Sequence, residues 1–425
     1  MCKLLSKNLA LLVIILHMAF ATKGQDLTLQ QQEEDFTIFR GSLKEGHGGL
    51  FYFIDEASFN KKCDSVRRTF REGASTESFY LKLRYLTSLL GHGHTRINFP
   101  DSSGTNFKMG ALRKGQVYLP LQLLVINKRL YVTADCSDER LAEKGSEILS
   151  INGVPVARLL QTMLQYIPAD GRNTSFKYYF LYNYYYFHFL YNLLFPGVTE
   201  FDVLLAKGKK PVRLKGKKPA EIENTYLSRT GQNISRFDDP LDYKPEIGTG
   251  TAYLKVSSFY KGFIESFGKQ FEPYMDSVFR DLNRCGTANL VIDLRNNEGG
   301  GDSYTDILFS HLSTKPFMGF GFDQVPGKVF QYSKYTINLS DELKAFINDP
   351  NAFLNDGSLV LKPEYTKDKV LFQPAKNVFD GRVYVLTNGG TFSAGNIFVR
   401  HLYNYRKSNS KPILFIGEEN GGDIY

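Results

Sequence analysis

The sequence predicts an α/β protein, and two stretches in its last third carry this prediction. Residues 288–294 (ANLVIDL) and 382–386 (RVYVL) are short, nearly continuous apolar runs, which are typical of strands buried in an α/β sheet. The first runs into a glycine-rich loop, and the second turns into a helix that begins near Asn396. A helical region and a β-rich region precede them along the chain.

Length and composition agree with a folded protein of several parts. The chain has 425 residues, which predicts two or three domains. Apolar residues make up 42% and charged residues 23% of the sequence, as in ordinary globular proteins. This balance excludes disordered and fibrous classes and predicts a folded, soluble protein.

The N-terminus predicts an export signal over residues 1–21. Two lysines precede an apolar run from Leu9 to Phe20, and Ala19-Phe20-Ala21 has the small-residue pattern that a signal peptidase recognises. The run is shorter than the ~20 residues that span a bilayer. We therefore expect an extracytoplasmic protein, periplasmic, cell-envelope or secreted, without an integral membrane span after cleavage at Ala21 or nearer Gln25.

Cysteine and histidine spacing predicts neither a metal nor a cofactor. Loss of the signal leaves Cys63, Cys136 and Cys285, so at most one disulfide can form. The chain contains no CxxC or HExxH spacing, and it matches no nucleotide-binding glycine motif.

Residues 25–105 are predicted to form a helical domain, followed by a β-rich module over 106–170. The stretch Phe79–Leu89 has apolar residues at helical spacing, with capping side chains at 75–78 in front and Gly91 behind. Strand-like runs begin near Val117. Ile148–Ile151 then reads as a strand, and Asn152-Gly153 as a tight turn before a helix.

Residues 171–246 contain an aromatic run and a basic hairpin. Tyr178–Phe195 has no formal charge, but its tyrosines, asparagines and histidine disfavour a membrane span, so we expect core packing, with an apolar substrate surface as the alternative. Much of the net charge of +8 lies in one predicted hairpin, at Lys207, Lys209, Lys210, Arg213, Lys215, Lys217 and Lys218. No nucleic-acid motif accompanies these cations, so they are expected to solvate an exposed hairpin rather than bind a polyanion.

We expect the functional residues to lie at the C-terminal ends of the two apolar strands. The glycines of the loop 295–301 (RNNEGGG) allow several backbone N–H groups to point at one bound group. A phosphate is an alternative ligand for such a loop. Ser393 lies at a strand-to-helix turn, where free amides and the helix dipole favour developing negative charge. A helix cap is the alternative role for this serine.

Five motifs in order resemble the S41 serine peptidases, the C-terminal processing proteases and the tricorn core. The motifs are GHGHTRI, GSEILSINGVPV, LVIDLRNNEGGG, VYVLTNGGTFSAGN and FIGEENGG. The resemblance implies a crotonase-like (ClpP/crotonase) core of ββα units over 247–425. It also implies that the helical domain and a small PDZ-like module precede this core.

The resemblance also implies roles for individual residues. Ser393 matches the nucleophile, and His94 matches the histidine base of the tricorn branch, with His92 as a rival. Ala394 would donate its N–H to the oxyanion hole, together with Gly299 or Gly300, between which the sequence does not choose.

Several positions depart from the family pattern. The processing proteases use a lysine where this chain has Asp423, which disfavours a Ser-Lys dyad. The tricorn branch has a serine at the position of Gly93 and a later glutamate, for which Glu418 and Glu419 are the nearby candidates. Because the sequence stops at Tyr425, we expect that the C-terminus is truncated and that the core lacks its final strands.

The resemblance thus implies an exported serine endopeptidase that cuts unfolded or apolar polypeptides through an acyl-enzyme, without metal, cofactor or nucleic acid. The alternative is a non-catalytic protein that uses the same fold to bind peptides or an apolar ligand.

Overall fold

The structure is a computed structural model that describes most of the chain after residue 25. The described residues are 26–98, 116–183, 186–232, 234, 238–319, 331–335, 353–355, 359–361, 371–408 and 412–422. The predicted signal and Asp423 lie outside these residues.

Three helices form the N-terminal part, as the sequence predicts. They are Leu29–Gly46, Glu56–Arg67 and Thr76–Leu89. The Ser75 hydroxyl caps the third helix by accepting a hydrogen bond from the Ser78 N–H at 3.2 Å. The three helices enclose their own apolar core, which includes Phe36, Phe59, Phe79 and Leu86.

A six-stranded sheet, antiparallel throughout, follows. Its strands are Leu121–Ile126, Arg129–Asp135, Glu147–Ile151, Val154–Pro155, Glu200–Leu205 and Val212–Lys215. The predicted turn at Asn152-Gly153 is confirmed, with φ of 48° and 75°. The predicted basic hairpin is confirmed as well, because its two strands pair with each other. The hairpin also pairs with Glu147–Ile151, so the sheet joins segments that the sequence analysis divided at residue 170.

The aromatic run folds into two helices that pack on this sheet. They are Ser175–Tyr182 and Tyr186–Leu194. Their buried side chains share one core with the strands, which confirms the prediction of core packing. The buried residues of these two helices are Phe176, Tyr179, Phe180, Leu181, Tyr186, Phe187, His188, Leu190, Tyr191 and Asn192. Of the helices that the structure describes, none has both the length and the apolar character for crossing a membrane.

The last third contains a five-stranded sheet, and the candidate functional residues lie at the C-terminal ends of its strands. In spatial order its strands are Ile413–Gly417, Arg382–Thr387, Asn289–Asp293, Thr251–Val256 and Leu241–Gly248. The first four are parallel and the last is antiparallel. The two apolar strands predicted from sequence are therefore confirmed. They are direct neighbours, with Asp293 opposite Leu386, so their C-terminal loops meet at one edge.

Helices cover this sheet, and smaller elements complete the described chain. The longer helices are Phe271–Arg284, Asp302–Ser310 and Ala394–Ser408. The remaining helices are Val156–Met163, Pro219–Thr230 and Lys261–Ser266, with 3-10 turns at Leu164–Tyr166 and Gln331–Tyr335. Short strands pair as Asp26–Leu27 with Ala74–Ser75, Phe317–Met318 with Leu371–Phe372, and Phe353–Asn355 with Leu359–Leu361.

Candidate active site

Ser393 lies between a buried strand and the N-terminus of helix Ala394–Ser408. Its backbone has a φ of +55°, a left-handed conformation that is uncommon for residues other than glycine. The turn is held on both sides. The Ser393 N–H donates to the Gly422 carbonyl at 2.9 Å, and the Asn396 N–H donates to the Ser393 carbonyl at 2.8 Å. Local strain that the surrounding bonds maintain is characteristic of functional turns.

The glycine loop reaches Ser393 through Gly299. A Cβ atom placed on Gly299, whose φ is +103°, would lie 2.6 Å from the Ser393 Cβ and 3.0 Å from the Ala394 nitrogen. Gly300 faces elsewhere, because a Cβ there would lie 2.1 Å from the Phe259 carbonyl carbon. Of the two glycines left open by the sequence, the structure thus brings Gly299 to Ser393 and Ala394. The Gly299 N–H itself donates to Asn297 Oδ1 at 2.9 Å.

His94 comes to the same place from the N-terminal part of the chain. Its imidazole stacks on the ring of Phe392, the residue before Ser393, with centroids 4.3 Å apart and planes 22° apart. Phe176, from helix Ser175–Tyr182, also stacks on Phe392, with ring centroids 4.5 Å apart. We call these three rings the Phe392 stack. Within the described residues, no hydrogen bond joins His94 to Ser393.

The surroundings of His94 favour its neutral form. The pKa of His94 is lowered from 6.5 to about 4, first by desolvation of the ring and second by the positive charge of Arg96. The residue is nevertheless exposed at the surface of the site, so a substrate can approach it. An imidazole of this kind is unprotonated at neutral pH and can accept a proton.

Asp170 joins the histidine loop to the serine turn, and the sequence analysis missed it. Its Oδ1 accepts a hydrogen bond from the Gly93 N–H at 2.6 Å. Its Oδ2 lies so close to Gly422 that a Cβ there would be 2.4 Å away. Gly422 in turn accepts the Ser393 N–H. The Asp-Gly pair at 170–171 resembles an ordinary turn in sequence, so no local signal marks it.

Two further charged residues at the site were also missed. The Arg96 guanidinium lies 5.6 Å, 5.0 Å and 5.7 Å from the ring centroids of Phe176, Phe180 and Phe392. Its Nε donates to the Gly93 carbonyl at 2.8 Å. Glu298, directly before Gly299, is exposed and accepts a hydrogen bond from the Tyr179 hydroxyl at 2.9 Å.

His92 has different neighbours from His94. It is buried, its Nε2 lies 3.0 Å from the Gly49 carbonyl oxygen, and its ring packs on His47 at 4.3 Å. Desolvation, followed by the charge of His47, lowers the pKa of His92 to about 4. These contacts are those of a packed loop residue, and they do not include Phe392.

The other predicted candidates lie apart from the imidazole. Glu418 and Glu419 are exposed, and Glu418 bonds to Thr387 through its backbone. In the part of the chain that the structure describes, neither carboxylate bonds to His94. His401 stacks on Phe309, with its Nε2 3.1 Å from Asp306 Oδ1. The described residues contain no group of three or more side chains able to hold a metal.

Comparisons with known proteins find a family match over the last part of the chain and a likeness of fold over most of it. The sequence model of peptidase family S41 matches residues 250–422, which contain Ser393 and the glycine loop. No curated protein sequence matches the chain.

Solved structures resemble a larger part of the chain. Mature CPAF complexed with lactacystin is 14% identical, with 92% of this chain and 85% of that chain covered and a TM-score of 0.58. Mature CPAF is 15% identical, with coverage of 92% and 84% and a TM-score of 0.57. At such identity these likenesses show the fold alone. The photosystem II D1 C-terminal processing protease is 15% identical, with coverage of 92% and 81%, but its TM-score of 0.37 supports no argument.

The motifs quoted from the sequence, the match of the family model and the mixed α/β structure thus agree. Residues 250–422 of this chain therefore match peptidase family S41, a family of serine-type peptidases.

Proposed function

We propose that the protein is a serine endopeptidase in which Ser393 is the nucleophile and His94 is the general base. The contact between the His94 ring and Phe392 carries this proposal. It joins residues almost three hundred positions apart in sequence at the strained turn beside the glycine loop.

The reaction follows ordinary acyl transfer. The Ser393 hydroxyl oxygen attacks the peptide carbonyl carbon while its proton passes to His94, and His94 then protonates the leaving amine. The resulting ester on Ser393 is hydrolysed by water, with His94 again accepting the proton. The lowered pKa keeps the His94 ring neutral at pH 7, as proton uptake requires, and also makes it a weaker base than an ordinary histidine.

Backbone amides stabilise the oxyanion in this mechanism. We assign the Ala394 N–H as one donor, because it lies at the N-terminus of a fifteen-residue helix. We assign the Gly299 N–H as the second, because Gly299 lies against Ser393 and Ala394. This N–H must share or release its bond to Asn297 when substrate binds. Loss of one such donor typically costs about 10²–10³ in rate.

Substrate binding must also bring His94 and Ser393 into direct contact. Catalytic hydrogen bonds are often long in free enzymes and shorten when the substrate is bound. The Phe392 stack supports such a closure, because the His94 ring already lies against the residue that precedes Ser393.

We further propose a crotonase-like arrangement for the C-terminal core and a PDZ-like role for the antiparallel sheet. The remaining proposals are export through residues 1–21 and a preference for unfolded or apolar polypeptides. Mass spectrometry of the mature N-terminus tests export. Digestion of native against denatured forms of one protein tests the preference.

Covalent labelling tests the catalytic proposal directly. A fluorophosphonate should label the wild-type chain and leave Ser393→Ala unlabelled. The matched control is Ser266→Ala, which removes an exposed hydroxyl at the end of another helix. Equal labelling of Ser393→Ala and wild type would refute the nucleophile. His94→Ala should lose labelling and hydrolysis by about 10³-fold or more.

The alternative function, binding of an apolar ligand without catalysis, has little structural support. It depended on the aromatic run, whose side chains are used in the core beneath the sheet. If the fluorophosphonate does not label the wild-type chain, the alternative is a protein that binds peptides without hydrolysing them.

A further inference from the structure

Glu298 places a negative charge at the rim of the proposed active site. It directly precedes Gly299, the glycine whose backbone lies against Ser393 and Ala394. Unlike Asn297 and Gly299 on either side, Glu298 is exposed. A peptide that binds with its carbonyl between Ser393 and Gly299 therefore passes directly beside this carboxylate.

The carboxylate is held in position by a rigid partner. The Tyr179 hydroxyl donates to Glu298 Oε1 at 2.9 Å, and Tyr179 is itself buried, with only 3% of its surface exposed. The Tyr179 ring packs on Gly390, where a Cβ would lie 2.4 Å from the ring. An acidic side chain fixed in this way loses little further conformational freedom when it binds a cation, so binding is more favourable.

The nearest cation does not neutralise Glu298 by direct pairing. Arg96 is attracted to both Glu298 and Asp170, but its Nε is bonded to the Gly93 carbonyl and its guanidinium lies over three aromatic rings. Among the described residues, Glu298 has no ion pair within 4.0 Å. The outer side of its carboxylate thus remains available to a substrate.

From these observations we infer that Glu298 determines specificity by binding a lysine or arginine side chain of the substrate at a position flanking the scissile bond. This inference rests on the proposed function and names its substrate class, namely polypeptides with a basic residue next to the cleaved bond. An ion pair of this type at a partly exposed site changes the rate by up to about fivefold, and more when the bound peptide excludes water.

The test compares matched peptides. Cleavage sites in a denatured protein are first mapped by mass spectrometry. Peptides are then made around one site with lysine, glutamine or glutamate at the flanking position. For wild type, kcat/KM should be about fivefold higher with lysine than with glutamine, and lowest with glutamate. Raising the salt concentration should reduce the differences in kcat/KM among the three peptides.

Variants assign the preference to Glu298. Glu298→Gln should make the lysine and glutamine peptides equivalent, and Glu298→Lys should favour the glutamate peptide. Glu265→Gln is the matched control, because it removes an exposed carboxylate on helix Lys261–Ser266, outside the glycine loop, and should keep the wild-type order. Labelling by an uncharged fluorophosphonate should stay close to the wild-type rate in Glu265→Gln. The Glu298 variants are judged by the ratios of kcat/KM between the three peptides, which a common change in rate does not alter.

The outcomes separate the inference from the proposed function. A wild type that is labelled but shows no preference for lysine overturns the inference, as does a preference that persists in Glu298→Gln. A wild type that is neither labelled nor active refutes the proposed function, and the specificity role falls with it.

Discussion

Replacing Gly299 with alanine tests the geometry of the site most directly. The new methyl group would lie 2.6 Å from the Ser393 Cβ and 3.0 Å from the Ala394 nitrogen. Carbon atoms are in favourable contact at about 3.5–4.0 Å, so the loop and the serine turn must separate by about 1 Å. The φ of +103° adds strain, because side chains other than hydrogen are disfavoured there.

Both effects act on the reacting groups. A shift of about 1 Å in catalytic geometry can cost about 10²-fold in rate. The backbone strain should destabilise the fold by about 1–3 kcal/mol. We therefore expect Gly299→Ala to fold with a lower urea midpoint and to react with a fluorophosphonate about 10²-fold more slowly than wild type.

Gly301→Ala provides the matched control two residues further on. Its φ is −78°, and the nearest atom to a Cβ there is the Phe259 carbonyl oxygen at 3.6 Å, an ordinary contact. Labelling rates and urea midpoints are measured for both variants. The placement of the loop against Ser393 is wrong if Gly299→Ala is labelled at the wild-type rate. It is also wrong if Gly301→Ala lowers the labelling rate as much as Gly299→Ala does.

Three further predictions concern neighbouring residues. Phe392→Leu should lower kcat more than it raises KM, at a stability cost of about 1–2 kcal/mol, because the His94 ring loses its stacking partner; an unchanged kcat would contradict a positioning role. Asp170→Asn should slow labelling about tenfold, because it weakens the charge-assisted bond to the Gly93 N–H, and wild-type labelling would exclude this link. Since the pKa of His94 is lowered to about 4, kcat/KM should stay level from pH 8 down to about pH 5 and fall as pH drops through about 4, where the ring gains its proton. A fall centred near the ordinary histidine pKa of ~6.5 would refute the shifted value.

The sequence predicted those features of the site that depend on local pattern. Apolar strands followed by turn residues identified the strand before Ser393 and the strand before Gly299. Because parallel neighbours end at one edge of a sheet, their loops could be expected to meet. The capping serine at position 75 and the tight turn at 152–153 were likewise local signals that the structure confirms.

Contacts between distant segments could not be predicted in this way. Asp170 bonds to a residue 77 positions away, and Tyr179 bonds to Glu298 over 119 positions. Neither spacing nor hydrophobic periodicity contains information on such pairs. The choice between Gly299 and Gly300 also depends on tertiary structure, because it is the Phe259 backbone that occupies the side of Gly300.

The Phe392 stack draws its three rings from widely separated parts of the chain, and two of them lie outside the stretch that matches the family model. Under the proposed mechanism, the ribosome therefore adds the His94 imidazole and the Phe176 ring long before it adds Phe392 and the Ser393 hydroxyl. Hydrolysis therefore requires that the segment with Phe392 and Ser393 has been synthesised and has packed against the His94 ring.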